Sequence, residues 1–367
     1  MDNPIPFFKA PTQPLRNLGD EFNKILKSGI LIKGEYNKLF EEKLTEYLNV
    51  KNVILVSSGT IGLTYLFRVL NPKKVYMPSF TFGATATTAT WSGVDNIKFI
   101  DIDSKKWTMN IESLETEGIE DNSVIIPVNL FGNPCDFNRI QEIADNSKSK
   151  VIYDAAHSLG SSYHSEKVGS QGEAQVFSLS PTKVLTSAEG GIITTNNDDL
   201  AEQLRWMVEW GHKGDYNTII PGLNARMSEV HALIGYESLS IIDQLSDKRH
   251  SQVESYKKEL NTEYFSFQEI ENNSISTFKD FAIVAKSLKS REERDELINH
   301  LANKKISVKT YFDPPIHKHD FYKNNNHENL INTESLSDKI ICLPVFYSLQ
   351  DEEILYISKV LNEYFNK

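Results

Sequence analysis

Val176-Phe177-Ser178-Leu179-Ser180-Pro181-Thr182-Lys183, followed by Glu189-Gly190-Gly191-Ile192-Ile193-Thr194-Thr195, decides the fold. Both apolar runs read as short strands, and Lys183 stands just beyond the first. An earlier run, Val151-Ile152-Tyr153, ends in Asp154. Short, continuous, β-branched runs of this kind belong to a sheet buried on both faces. A lysine and a carboxylate delivered to the strand ends of such a sheet suit an enzyme that holds a carbonyl cofactor as a Schiff base.

Working outward, strand patterns at 52–56, 74–77, 97–102, 124–128, 151–153, 175–178 and 191–195 alternate with helical spacing at 35–48, 61–70, 83–92, 137–146 and 198–210. The alternation predicts an α/β fold with a mostly parallel sheet covered by helices. Residues 1–34 read as an N-terminal arm and 35–225 as a large domain. Residues 226–261 read as one long connecting helix, and 262–367 as a smaller C-terminal α/β domain. In that last part, strands are expected at 281–285 and 308–312, helices at 291–303 and 350–363, and a polar surface loop at 323–329.

A chain of 367 residues can bury two cores. Its net charge of −11 is spread along the sequence, which disfavours a nucleic-acid surface, because phosphate neutralisation needs clustered Lys and Arg. Cys135 and Cys342 form neither a metal spacing nor a disulfide framework, and no metal site is expected. The N-terminus has no basic region followed by an apolar one, and no stretch is apolar enough for a membrane span. The chain reads as cytoplasmic.

Four segments carry candidate chemistry. Ser57-Ser58-Gly59-Thr60 turns from a strand into a helix, where free backbone amides receive an anion; an ordinary helix N-cap reads the same way. Phe82, in Pro78-Ser79-Phe80-Thr81-Phe82, could stack on a planar ring or fill a core. Asp154, followed by two alanines and His157, needs a cationic partner if buried, and a protonated pyridine nitrogen would serve; an Asp capping the next helix is the plain alternative. Lys183 alone could be a solvated surface group, but an amine held near an aldehyde condenses with it and can then shuttle protons. His317 and His319 flank Lys318 in a Pro-containing loop, and His317 is a candidate to face substrate.

Assembled in this order, the segments resemble the DegT/DnrJ/EryC1/StrS family of sugar-nucleotide aminotransferases. The resemblance runs from about Pro6 to the C-terminus. It includes Leu130-Phe131-Gly132-Asn133-Pro134 and Gly222-Leu223-Asn224-Ala225-Arg226-Met227 as well as the segments above. It implies the aspartate-aminotransferase (type I) fold, with a seven-stranded sheet in the large domain, and pyridoxal 5'-phosphate as cofactor. By resemblance, Lys183 would carry the cofactor, Asp154 would pair with its ring nitrogen, His157 would lie near its ring hydroxyl and Phe82 would stack on it. Ser58, Gly59, Thr60 and Ser178 would bind its phosphate. Asn224 would complete that phosphate site in a partner subunit of a homodimer, with Arg226 close by. Arg226, Glu189 and His317 are the expected substrate contacts. Many relatives carry an aromatic residue or histidine where this chain has Leu179-Ser180-Pro181. The Glu189-Gly190-Gly191 ending resembles members that aminate C-4 of a 4-keto-6-deoxy sugar rather than C-3 enzymes. The implied activity is transfer of an amino group from glutamate to a nucleotide-linked keto sugar, dTDP-4-keto-6-deoxyglucose foremost, for surface polysaccharide such as O-antigen. C-3 or UDP-linked substrates are the alternative. A dehydratase on the same fold would replace Lys183 with histidine, and a regulatory homologue would not need Lys183, Asp154 and Asn224 together.

Overall fold

The computed structural model of the protein describes residues 3–11, 18–324 and 330–366. Twelve strands and twelve α-helices are described. The strands are β1 (Asn52–Val56), β2 (Val75–Pro78), β3 (Ile97–Ile100), β4 (Val124–Ile125), β5 (Lys150–Asp154), β6 (Ser162–Tyr163), β7 (Glu166–Lys167), β8 (Ala174–Ser178), β9 (Gly191–Thr195), β10 (Phe265–Phe267), β11 (Phe281–Ala285) and β12 (Ile340–Leu343). The helices are α1 (Leu18–Ser28), α2 (Glu35–Leu48), α3 (Gly59–Leu70), α4 (Ala84–Trp91), α5 (Ile111–Glu117), α6 (Phe137–Asn146), α7 (Asp198–Val208), α8 (Glu229–Leu239), α9 (Ile242–Glu259), α10 (Arg291–Asn303), α11 (Ile331–Lys339) and α12 (Asp351–Phe365).

The main sheet has seven strands in the order β1-β9-β8-β5-β4-β2-β3. All its pairings are parallel except those of β9, which runs antiparallel to both β1 and β8. Both faces are buried, as the unbroken apolar runs require. Along β1 the residues alternate: Val53 and Leu55 join one core with Phe40 and Leu44 of α2, while Ile54 and Val56 join another with Leu63 and Leu66 of α3. The α/β architecture expected from the alternation is the one observed. The parallel strands end on one edge, and the turns that follow them build the site.

A three-stranded antiparallel sheet, β10-β11-β12, carries its own core with α9, α10 and α12, including Val253, Leu297 and Ile357. Here the sequence reading needs two corrections. The stretch 226–261 is not one helix. The amides of Ser240 and Ile241 bond to carbonyls three residues back, those of Glu237 and Ser238, which tightens the end of α8, and α9 then starts afresh. Neither Gly nor Pro marks the break; it lets both Leu239 and Ile242 reach the core. The second correction is 308–312, which forms no strand and makes only a single bridge, Lys309 to Cys342. The strand that pairs with β11 is β12, an apolar run of four residues that directly follows α11, and Lys309 lies along it. The expected loop at 323–329 lies outside the described residues from position 325 onward. The segment read as an arm contains α1, an amphipathic helix.

Candidate active site

At the carboxyl edge of the main sheet lies a cavity of about 380 Å³. Its lining includes Ser58, Gly59, Thr60, Phe82, Asp154, His157, Ser178, Lys183 and Glu189. These candidates come from five separate segments, gathered because the sheet order sets the ends of β1, β9, β8, β5 and β2 along one edge.

The turn from β1 into α3 forms one end of the cavity. The Ser58 side chain caps α3 by accepting from the Ile61 amide at 3.2 Å. The first-turn amides of a helix have no intrahelical partner, and the helix dipole makes that end attractive to an anion. Ser178, at the end of β8, closes the cradle: a Cβ on Gly59 would meet Ser178 Cβ at 3.2 Å. Gly191 is more constrained still. A side chain there would meet the Gly59 amide nitrogen at 2.5 Å, so only glycine lets β9 pass beneath the turn.

Asp154 ends β5 and is 6% exposed. Thr85 Oγ1 donates to its Oδ2 at 2.7 Å, and the Ala156 amide donates to Oδ1 at 3.1 Å. Burial raises its pKa, against the opposing pull of those donors and of Lys183. All its hydrogen-bond donors here are neutral, so the carboxylate suits a cation arriving from the cavity.

Lys183 follows β8 in the connection to β9. Burial lowers its pKa to about 8, with Lys279 adding repulsion, while Asp154 and Asp280 pull the other way. Such an amine is substantially neutral near pH 8 and able to attack a carbonyl carbon. His157 lies parallel to the Phe131 ring, with centroids 6.2 Å apart, and its Nδ1 accepts from the Phe131 amide at 3.2 Å. Burial first, then Lys183 and Lys279, hold its pKa well below the usual histidine value. The ring is therefore neutral, with the proton on Nε2 and available to an acceptor.

Of the stretch Leu179-Ser180-Pro181, only Ser180 reaches the lining, whereas Leu179 is buried in the core. Phe82 stands exposed at the mouth, tilted against Phe312 at 6.3 Å. Asn224 and Arg226 do not line this cavity. Arg226 Nε donates to Asn224 Oδ1 at 3.1 Å, and its guanidinium lies over Trp210 at 4.4 Å, beside Glu209. His317 needs correction as a substrate-facing residue. It is buried, its Nδ1 is 2.7 Å from Ser79 Oγ and its Nε2 is 3.4 Å from Glu334 Oε1. It fixes the turn after β2 instead of entering the cavity.

The far wall was not foreseen. Lys279 and Asp280 lie just before β11 and line the cavity with Tyr311 and Phe312. Lys279 Nζ bonds both carboxylate oxygens of Asp280, at 2.9 and 2.8 Å, and both residues are buried. Two adjacent charges opening an apolar strand was the signal; nothing local showed that the strand abuts the main sheet. Thr85, which holds Asp154, gave no signal beyond one turn of α4.

The residues present fit pyridoxal phosphate: an anion cradle, a carboxylate lacking a fixed cation and a near-neutral lysine share one cavity. The comparisons agree. The model of the DegT/DnrJ/EryC1/StrS aminotransferase family matches residues 16–362, and the chain belongs to that family. It is an aminotransferase of the pyridoxal-phosphate-dependent kind. It is 31% identical over 340 residues to a GDP-perosamine synthase of Escherichia coli O157:H7, with 91% of each chain covered. It is 32% identical over 333 residues to a dTDP-4-amino-4,6-dideoxy-D-glucose transaminase of Shigella dysenteriae, with 90% of each covered. Among solved structures, a DegT DnrJ EryC1 StrS aminotransferase from Brucella abortus matches with a TM-score of 0.88, 30% identity and 95% of each chain covered.

Proposed function

We propose that this protein moves an amino group from glutamate to C-4 of a nucleotide-linked 4-keto-6-deoxy sugar, dTDP-4-keto-6-deoxyglucose, and that the product enters a surface polysaccharide such as O-antigen. The observation that carries the reading is the near-neutral Lys183 amine sharing a cavity with the buried Asp154 carboxylate. Pyridoxal phosphate, when bound, supplies an aldehyde that captures amines and a ring that withdraws electrons from the reacting carbon. Lys183 Nζ is the group that would hold this aldehyde. With its amine free, Lys183 would take the proton from the donor carbon and return one to the acceptor carbon. Asp154 would keep the ring nitrogen protonated, His157 would donate from Nε2 to the ring oxygen and Phe82 would cover the ring. Ser58, Gly59, Thr60 and Ser178 would hold the phosphate.

Two chains complete each site in this reading. The reading is supported by the position of Asn224 and Arg226 outside their own cavity, next to exposed Trp210 and Leu223. The C-4 assignment is supported by the Shigella relative, a dTDP-4-amino-4,6-dideoxy-D-glucose transaminase, and by Glu189-Gly190-Gly191. Ser180 at the lining leaves space that a bulkier residue would fill.

Incubation with glutamate and no sugar tests the activity: stoichiometric release of 2-oxoglutarate is expected, and none would sink it. A product-resolved assay over dTDP-, UDP- and GDP-linked 4-keto and 3-keto sugars tests the substrate. A preferred 3-amino product would overturn the C-4 assignment, and a preferred UDP or GDP sugar the nucleotide.

A further inference from the structure

Tyr311 and Phe312 line the reactive cavity from a turn, not from a strand. A strand is fixed by its ladder of backbone bonds, and a turn needs other anchors. Here the anchor is a buried ion pair behind the wall. Arg294 of α10 is 2% exposed, and its Nη2 donates to Asp313 Oδ2 at 2.8 Å. Its Nη1 donates to Ser337 O, in α11, at 2.7 Å. Ser337 Oγ in turn donates to Phe312 O at 3.0 Å. Arg291 adds a contact, its Nη2 lying 2.7 Å from Asp313 Oδ1. Phe312 is thus gripped through its own carbonyl and through the side chain that follows it.

The Phe312 ring is a hub. Phe80 meets it edge-on at 5.9 Å, Phe82 leans on it at 6.3 Å, and Phe131 lies nearly parallel to it at 6.4 Å. Phe131 is also the ring on which His157 stacks, and its amide donates to His157 Nδ1. Phe312, Phe131 and His157 therefore form a file of near-parallel rings, with interplanar angles of 12° and 5°. Contacts between rings set separation and tilt, but they leave sliding along the plane weakly opposed. The hub keeps its place because its backbone does.

We infer that Arg294 and Asp313 are positioning residues for the reaction: the pair sets Phe312, and Phe312 sets Phe82 and His157, the two side chains assigned to the cofactor's ring; this rests on the aminotransferase reading above. A gain in stability does not explain the pair, because well-packed apolar residues of the same volume often serve as well as a buried ion pair. Fixing one arrangement is what the pair adds. The planar guanidinium fork points its donors in set directions, so it holds Asp313 and Ser337 at once; an ammonium is a point charge without that geometry. Phe131 is also held through its carbonyl, which accepts from the Lys279 amide at 2.9 Å. Loosening of Phe312 should therefore be felt first at exposed Phe82.

The experiment compares the pyridoxal-phosphate-loaded wild type with Arg294→Lys, Asp313→Asn, Phe312→Leu, the Arg294→Lys/Phe312→Leu double variant and Leu297→Val. Leu297→Val trims the core under the same helix and calibrates plain loss of stability. Three quantities are read: Tm, the visible circular dichroism of the bound cofactor, and the rate of 2-oxoglutarate release over a range of glutamate concentrations. The dichroism reports how asymmetrically the flat ring is held. Arg294→Lys and Asp313→Asn should each alter it and lower the rate at saturating glutamate by about ten-fold, with half-saturation moved less than about two-fold. Leu297→Val should lower Tm and leave the dichroism and the rate as they are. Phe312→Leu should reproduce the change, and Arg294→Lys should add little on top of it, because both act through one ring. Wild-type dichroism and rate in either pair variant overturn the inference. So does the same change in Leu297→Val, or full additivity in the double variant. A wild type that releases no 2-oxoglutarate removes the aminotransferase reading instead, and the dichroism comparison still decides the role of the pair.

Discussion

Asp154 and Asp280 are both buried carboxylates on the walls of one cavity, and they are satisfied in opposite ways. Asp154 is held by a threonine hydroxyl and a backbone amide, both neutral. Asp280 is closed off by its neighbour Lys279 through both oxygens. A buried charge costs several kcal/mol unless compensated, so a carboxylate kept without a fixed cation is kept for a visiting one. The neutralised pair shapes the far wall and its field. The half-satisfied carboxylate is the one assigned to chemistry.

The largest effect that would break this contrast is at Lys183, which faces both carboxylates. Lys183→Ala should abolish the visible absorbance of the lysine-bound cofactor and lower turnover by roughly 10²–10⁴-fold or more. A retained band in that variant would assign cofactor capture to another amine. Next, Asp154→Ala should cost about 3–5 kcal/mol of catalytic free energy with the cofactor still bound, because its cationic partner is left buried alone. Near-normal kcat in that variant would place Asp154 with Asp280 as a structural group.

A third test asks whether the site ends at one chain. Lys183→Ala and Asn224→Ala proteins, each inactive alone, should regain about a quarter of wild-type activity on subunit exchange, because half of the dimers then carry one intact site. No recovery would confine the site to one chain. The smallest effect is on pH. The Lys183 amine is neutral above its pKa of about 8, so aldehyde capture by the cofactor-free protein should rise with pH through that value. Lys279→Met removes a repelling cation and should move the midpoint upward, as followed by stopped-flow absorbance. A midpoint unmoved in the variant would separate the far wall from the lysine's electrostatics.

The same contrast explains what could be read from residues alone. Asp154, Ser178 and Lys183 each end or follow an apolar run, so their convergence on one sheet edge follows from local pattern and the rules of parallel sheets. β1 and β9 were legible to the residue for the same reason. Lys279, Asp280 and Tyr311 reach the cavity only through packing of one sheet unit against another, which no local spacing encodes. The break between α8 and α9 went unseen because it uses tightened backbone bonds at Ser240 and Ile241 instead of a breaking residue. His317 misled because a histidine in a Pro-containing loop resembles a surface group, whereas Ser79 and Glu334 enclose it.

The antiparallel direction of β9 has a mechanical result for Lys183. Because β9 turns back alongside β8, the lysine rides a hairpin whose two feet stand on neighbouring strands. The feet are stapled together: the Leu179 amide donates to Gly190 O at 2.9 Å, and the Leu179 carbonyl accepts from the Ser187 amide at 3.0 Å. Farther along, Ser238 of α8 pins the loop through Thr186 O. A crossover to a distant parallel strand would have left this segment on a long leash. The short one would let an amine that releases an aldehyde find it again with little wandering, each return beginning from nearly the same place.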